Sequence, residues 1–254
     1  MTRIKPILRW QGGKTRMLKE ILPLIPKHTC YCEPFAGGLA VLLAKERSQV
    51  EVVNDINGDL ISLYRNVQFH LPALLSEIDF LFSARRNLHD FIAQPGLTEL
   101  QRAARFLLVN RTSFGGNMNS FGVSKTSGGG FKRSMVGDLL GAAHERLDNV
   151  VVENIPFERC FKNYDSKESF FFIDPPYLNA TNGAYPCWDE KQMKHFRQEV
   201  DRLDGKWIVT LNDSPFTREL FGDCEMKSIT TRNRAVNRRT HAAQTFGELI
   251  ITPK

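Results

Sequence analysis

The chain has 254 residues, 42% of them apolar, and a formal net charge of +6, which is enough material for one large α/β domain or for such a domain carrying an insertion. The positive excess favours a polyanionic partner. No apolar run reaches membrane-spanning length and no charged-then-apolar leader opens the chain, so a cytoplasmic protein without membrane contact is expected. Five cysteines, Cys30, Cys32, Cys160, Cys187 and Cys224, form an odd set with no C-x-x-C pair, which argues against a disulfide framework and a zinc ribbon. His28-x-Cys30-x-Cys32 has the alternation of a strand-borne metal clamp, but no second ligand pair follows, and buried reduced thiols with no metal are expected.

Ile7-Leu8-Arg9-Trp10-Gln11-Gly12-Gly13-Lys14-Thr15 is the first informative stretch. Its Gly-Lys-Thr end invites a phosphate-loop reading, which fails because the glycine that motif needs upstream is replaced by Leu8. The Gly-Gly turn feeds a predicted helix over 15–22 and leaves amides and Lys14 facing an anion. Trp10 reads either as core packing or as a ligand contact, and Lys14 either as a surface cation or as a binding residue. Residues 29–33 read as a strand, Pro34-Phe35-Ala36-Gly37-Gly38 as a tight turn and 39–46 as a helix, the first unit of a Rossmann-like fold. A second strand over 50–53 ends at Asn54-Asp55-Ile56-Asn57, which puts an acidic residue where ribose hydroxyls are bound.

From residue 58 to about 147 helical patterns dominate, over 60–68, 74–92 and 100–109, the last opened by the capping box Thr98-x-x-Gln101. A helical block interrupting an α/β pattern reads as an inserted domain. Asn110-Arg111-Thr112-Ser113-Phe114-Gly115-Gly116-Asn117-Met118-Asn119 and residues 120–133, with consecutive glycines at 128–130, lack periodicity and read as a loop or weak hairpin. Asn117 and Asn119 have the amide geometry to pair with adenine in a major groove, and Arg111, Lys125, Lys132 and Arg133 could hold phosphates; an ordinary solvated loop is the alternative.

Val150-Val151-Val152 is a further strand, followed by Asn154 and Pro156-Phe157. The organising stretch is Phe170-Phe171-Phe172-Ile173-Asp174-Pro175-Pro176-Tyr177. An apolar run reads as a strand buried on both faces, and the prolines then force the chain out of the sheet at Asp174, on the carboxyl edge where open α/β sheets bind ligands. Asp174 and the Pro175 carbonyl become adjacent acceptors and Tyr177 offers a flat ring, a set suited to a planar base with an exocyclic amino group; a strand-end turn with a capping Asp is the alternative. Residues 179–188 read as a polar loop in which Tyr185 could add an aromatic face, and Asp189-x-x-Gln192 opens a helix to about 203. A strand over 207–211 ends at Asn212-Asp213, and 225–230 with 246–252 read as a closing antiparallel pair. Between these lie Arg232, Arg234, Arg238 and Arg239, interleaved with Asn233 and Asn237, either a solvated hairpin tip or a phosphate clamp.

Asp-Pro-Pro-Tyr behind a hydrophobic strand resembles the catalytic motif of amino-group DNA methyltransferases. With Trp10-x-Gly12-Gly13-Lys14 and the order of cofactor motifs, helical insertion and catalytic motif, the chain resembles the Dam-like, D12 class (alpha-type) adenine-N6 family. The resemblance implies a Rossmann-like class I methyltransferase sheet built from 1–58 and 148–254, interrupted by a mostly helical target-recognition domain over 59–147. It implies S-adenosyl-L-methionine as methyl donor and double-stranded DNA as partner, and a monomer or weak dimer is expected. Asp174, Pro175 and Tyr177 take the catalytic positions, with the ring of Tyr177 expected to matter more than its hydroxyl. Cofactor contacts fall on Trp10, Lys14, Phe35, Gly37, Asp55, Ile56, Phe157 and Asp174, with Glu33 facing the methionine amino end. DNA contacts fall on Arg111, Asn117, Asn119, Lys125, Lys132, Arg133, Arg234 and Arg238. Two departures stand out. Where the family carries an Asn-Val-Pro-Phe-Gly-type stretch this chain has Phe121-Gly122-Val123-Ser124-Lys125, so GATC recognition is not implied, and the usual Asp-Phe after the strand at 150–152 is Pro156-Phe157. Cytosine-N4 methylation, a glutamine or RNA substrate, and a non-catalytic restriction-control module are the competing readings.

Overall fold

The computed structural model describes residues 4–124, 128–129, 131–178, 188–232 and 245–254. The chain starts with a 3-10 turn at Lys14–Arg16, a short helix α1 (Leu18–Ile21) and a second 3-10 turn at Leu22–Leu24. One helix over 15–22 is predicted; instead the backbone flattens at Met17 (φ −93°, ψ −1°) and Pro23 enters the second turn, so no continuous ladder forms. After β1 (Cys30–Glu33) the predicted helix over 39–46 is also absent. Leu39 sits at φ 54°, outside the helical basin, and only isolated turn bonds follow, such as Leu43 N to Leu39 O at 3.0 Å. β2 (Val50–Asn54) leads into α2 (Gly58–Phe69), whose first amides, Asp59 N and Leu60 N, are capped by the Asn57 side chain.

The predicted helix over 74–92 is two helices, α3 (Leu71–Asp79) and α4 (Arg85–Ala93). Phe80 and Phe82 between them are 81% and 59% exposed, so apolar residues that face solvent extend the hydrophobic pattern beyond the true helix end. α5 (Glu99–Thr112) is capped by Thr98 as predicted, but runs further, taking Asn110, Arg111 and Thr112 out of the expected loop and into its last turn. A two-residue hairpin, β3 (Val123–Ser124) and β4 (Gly128–Gly129), precedes α6 (Arg133–Leu147). Then come β5 (Val150–Glu153), α7 (Phe157–Tyr164), β6 (Ser169–Ile173), α8 (Glu190–Asp201), β7 (Lys206–Asn212), α9 (Pro215–Leu220), β8 (Glu225–Arg232) and β9 (Thr245–Thr252). The Asp189–Gln192 capping box opens α8 as the sequence requires.

The large sheet has the order β5-β2-β1-β6-β7-β9-β8, with β5 through β7 parallel and β9 antiparallel to both of its neighbours. This is a Rossmann-like sheet. The chain builds outward from β1 to β5, then returns to place β6 on the other side of β1, so the strand order reverses between β1 and β6 and opens a crevice at their carboxyl ends. Alternation along the strands divides the core into two layers. Tyr31, Val53, Phe170, Phe172 and Ile208 face a layer shared with α2, α3, α5 and α6. Cys32, Val52, Phe171, Ile173 and Val209 face a layer shared with α7 and α8. Burial on both faces is why β6 reads as an unbroken apolar run.

The helical block is thus fastened to the sheet by a common core. Tyr64 of α2 donates its hydroxyl to Gly37 O at 2.5 Å, and Gln68 Nε2 donates to Leu147 O and Val150 O, both at 2.7 Å. Arg146 of α6 grips the buried Glu51 carboxylate of β2 through both Nη atoms, at 2.5 and 2.8 Å, while Lys45 Nζ holds the same group at 2.5 Å. Cys32 and Cys160 are fully buried thiols, and Cys30 and Cys224 are partly so. Among the described residues no helix is long and apolar enough to cross a membrane.

Candidate active site

Asp174 leaves β6 at the switch point, and the prolines behind it fix its backbone direction. Its Oδ1 accepts from Thr210 Oγ1 of β7 at 2.8 Å and from Lys14 Nζ at 2.8 Å. Lys14 is only 3% exposed, and its remaining protons go to Gly12 O at 2.5 Å and to the Tyr177 hydroxyl at 2.9 Å. That hydroxyl in turn donates to Glu248 Oε2 of β9 at 3.1 Å, and Glu248 stands 3.6 Å from Lys14 Nζ. Four charged or phenolic groups from the first loop, the β6 corner and the last strand therefore form one network.

Burial opposes charge on Lys14, but Asp174, Tyr177 and Glu248 outweigh it and hold the ammonium above its ordinary range, fully protonated at neutral pH. Burial pushes the Asp174 carboxyl up, and Lys14 with Thr210 works against that shift. The Tyr177 phenol is also raised, by burial first and by the neighbouring carboxylates next, so it stays protonated and able to donate. Glu33, at the end of β1, is pushed up to about 7 by burial, although the Tyr31 hydroxyl (2.6 Å) and the Leu42 amide (2.7 Å) both donate to its Oε1.

A cavity of about 990 Å³ opens over this network. Two glycine turns lie back to back on one wall. A Cβ on Gly37, which has φ +46°, would meet Trp10 Nε1 at 2.9 Å, and one on Gly38 would meet Trp10 Cβ at 3.0 Å, so the glycines let the indole seat against the β1 turn. Of the expected cofactor contacts, Trp10, Lys14, Phe35, Gly37 and Asp174 line the cavity. Asp55 is 1% exposed and uses its carboxylate on backbone, accepting from Gly37 N at 3.1 Å and Asn57 N at 2.9 Å, so it braces the glycine turn. Ile56 is 58% exposed at the end of β2. Phe157 packs on Phe35 (5.4 Å between centroids) and on Trp188 (5.8 Å), behind the lining.

Among the expected DNA contacts, Arg111 is 9% exposed and sits in the cavity wall instead of at the surface, because the added turn of α5 carries it inward. Its Nη1 donates to Ile7 O at 3.4 Å, and its Nε has no hydrogen-bond partner among the described residues. Burial and the nearby Arg9 lower its pKa. Asn117 also lines the cavity, and its Oδ1 accepts from the amides of Asn119 and Ser120. Lys132 and Arg133 are exposed at the start of α6, where Arg133 Nη1 donates to Asp79 O at 2.8 Å. Lys125, Arg234, Arg238 and Tyr185 lie outside the described residues.

Residues 10–236 match the family of D12 class N6 adenine-specific DNA methyltransferases. The chain belongs to this family. Among its relatives, the Type II methyltransferase M.MjaIII of Methanocaldococcus jannaschii is 28% identical over 92% of this chain and 93% of that protein. The DNA adenine methylase of Haemophilus influenzae is 25% identical over 97% and 92% of the two chains, and that of Salmonella typhimurium is 29% identical over 91% and 89%. The protein is accordingly an adenine-specific DNA methyltransferase, with DNA as its substrate.

Within this D12 site, sequence reasoning missed Thr210, Glu248 and Phe114. Glu248 carried a visible signal, an acidic residue embedded in the otherwise apolar Phe246-Gly247-Glu248-Leu249-Ile250-Ile251 run. Thr210 carried none, because only the strand order brings β7 beside β6. Phe114 is 60% exposed at the cavity rim. It follows α5 on a turn held by Gly115 and Gly116, both at positive φ, and a Cβ on Gly116 would fall 1.8 Å from Arg9 O. The Asn110 side chain completes this clamp by pairing with Arg9 N at 2.8 Å and Arg9 O at 3.2 Å.

Proposed function

We propose that the protein transfers a methyl group from S-adenosyl-L-methionine to N6 of an adenine flipped out of duplex DNA. The observation that carries this reading is the Lys14–Asp174 pair, at 2.8 Å, on the floor of a cavity walled by two glycine turns. The wall suits the cofactor in its chemistry. Gly12 (φ +77°) has open space where a side chain would be, Trp10 and Phe35 offer flat apolar faces, and Glu33 supplies a carboxylate toward an amino group. Trp10, Phe35, Gly37 and Glu33 would hold it, with Asp55 bracing the turn and Ile56 and Phe157 at its adenine end. When bound, it supplies an electrophilic methyl group on a sulfonium sulfur.

The protein's own groups then act on the base. An adenine inside a duplex keeps its amino nitrogen in plane and paired, so it must leave the stack first. Tyr177 receives the ring by stacking, and the exposed Phe114 at the rim is placed to fill the vacated space. Asp174 Oδ1 is taken by Lys14 and Thr210, which leaves Oδ2 and the Pro175 carbonyl for the two amino protons. Accepting those protons turns the nitrogen lone pair out of conjugation and toward the methyl carbon, a contribution of orientation and electrostatics. The proton shed by the methylated nitrogen passes to Asp174 and then to solvent. Burial raises the Asp174 carboxyl, and Lys14 beside it works against that shift and so favours the ionised, accepting form.

We assign the sheet and its flanking segments, 1–58 and 148–254, to donor binding and catalysis, and 59–147 to target recognition. Arg111 and Asn117 reach the cavity from the recognition side. Asn119, Lys132 and Arg133 stand exposed beyond it, and Lys125, Arg234 and Arg238 join them on the strength of the sequence. The test is incubation of the purified protein with methyl-labelled S-adenosyl-L-methionine and duplex DNA, followed by nucleoside digestion and mass spectrometry. N6-methyladenine is expected from the unaltered protein and none from Asp174→Ala. Label appearing only on cytosine, or near-normal turnover in the variant, would overturn the assignment.

A further inference from the structure

Glu248 belongs to β9, a strand with no motif, yet its carboxylate enters the network around the base-stacking ring. It faces Asn212 across the β7–β9 ladder, and both residues line the cavity. Its neighbours Leu249 and Ile250 are 0% and 1% exposed, so the backbone that carries Glu248 is locked into the core. Just before it, Gly247 O accepts from Asp213 N at 2.8 Å, and a Cβ on Gly247 would meet Asp213 Cβ at 2.9 Å, which pins the strand end to the β7 turn. Tyr177, by contrast, is on a segment that has left the sheet. Its ring is gripped at the tip, where the hydroxyl accepts from Lys14 at 2.9 Å and donates to Glu248 at 3.1 Å. The hydroxyl oxygen lies on the ring axis, so its place fixes the tilt of the side chain at χ1, and the preference of a phenol for hydrogen bonds in the ring plane turns the ring about χ2 toward its two partners.

We propose that Glu248 is a positioning residue for the methyl transfer, holding the Tyr177 ring from the β9 side so that an extruded base stacks in register with Asp174. This rests on the base-flipping reading above. Glu248 acts through Tyr177 and Lys14 and touches no reacting atom. The lone-pair geometry on the amino nitrogen depends on the plane of the base, and that plane follows the ring on which it lies.

The test compares Glu248→Gln, Glu248→Ala, Tyr177→Phe and the double variant Tyr177→Phe with Glu248→Ala. A Gln carbonyl can still accept from the phenol, so Glu248→Gln should keep most of the turnover. Glu248→Ala and Tyr177→Phe should each lower kcat about tenfold, the loss expected for a hydrogen bond to a charged acceptor, with KM for S-adenosyl-L-methionine unchanged. The double variant should be no worse than either single one, because both remove the same bond. A duplex with 2-aminopurine at the target should fluoresce more brightly with Glu248→Ala, as the flipped base loses its fixed stacking partner. Wild-type kcat in Glu248→Ala, multiplicative losses in the double variant, or a change confined to KM for the cofactor would each overturn the proposal. Should Glu248→Ala fail to fold, Tyr177→Phe reads the same bond from the loop side, and wild-type turnover there overturns it equally. Absence of adenine methylation by the unaltered protein would sink the underlying reading, a result separate from any variant effect.

Discussion

Lys14 joins residues far apart in the chain through a single ammonium, and its removal leaves the Asp174 carboxylate in a partly buried site with no cation. Lys14→Met should cost about 3 kcal/mol of stability, as for breaking a buried pair by removing one partner. It should also move the acid limb of the kcat–pH profile to higher pH. Burial already raises the Asp174 carboxyl and Lys14 holds it down, so without the ammonium the acceptor stays protonated to a higher pH; a profile with an unmoved acid limb would contradict this. Glu33 gives a second pH-dependent expectation. Its folded value, about 7, lies above the ordinary 4.5, so its contribution to stability is complete below 4.5 and is lost as pH rises through about 7. Glu33→Gln keeps an acceptor for Tyr31 and Leu42 and has no such loss, so between pH 4.5 and 7 it should gain on the unaltered protein by up to about 3 kcal/mol in urea melts. At this scale Asp174, Tyr177 and Lys14 were legible because their chemistry lies in contiguous motifs. The contact between the Tyr177 hydroxyl and Glu248, 71 positions away, was not legible, because only the place of β9 in the sheet brings the two together.

Among the elements, the Arg9–Lys14 loop and the turn after α5 are joined by close backbone contact. Gly116 is at φ +77° and any Cβ there would fall 1.8 Å from Arg9 O, whereas Gly12 has the same φ and open space around it. Gly12→Ala should therefore cost only the left-handed backbone strain, about 1 kcal/mol, while Gly116→Ala adds a clash with backbone and should cost several times as much. Thermal melting of the two variants side by side checks this, and equal losses would mean that the turn simply moves aside. The strands were readable as apolar runs, because a sheet covered on both faces needs them. Helices fared less well. Residues 39–46 look helical, but Leu39 adopts φ 54°, and exposed Phe80 and Phe82 hide the break between α3 and α4. The turn that brings Arg111 into the cavity was invisible for the opposite reason: its polar sequence, Asn110-Arg111-Thr112, resembles a loop and is held helical by tertiary contacts with Arg9 and Ile7.

For the whole molecule, the net charge of +6 and exposed cations such as Lys132 and Arg133 predict DNA binding that weakens steeply with salt. Replacing Lys132 by alanine should reduce the slope of log K against log salt by about one if it holds a phosphate, and leave sequence preference unchanged. Titrations at several salt concentrations would show this, and an unaltered slope would remove Lys132 from the contact set. The run of helices between two stretches of strand was legible, but its packing against the sheet was not. The shared core of α2, α3, α5 and α6 with the sheet comes from side chains such as Tyr64 and Gln68, whose partners no periodicity identifies. One further property follows from strand order. β9 leaves the ribosome after β8 yet threads between β7 and β8, so a nascent chain that has emerged only through β8 holds Lys14 and Asp174 but lacks the strand carrying Glu248. A chain cut after Arg232 should therefore be inactive, and adenine methylation by such a truncation would show the strand to be dispensable.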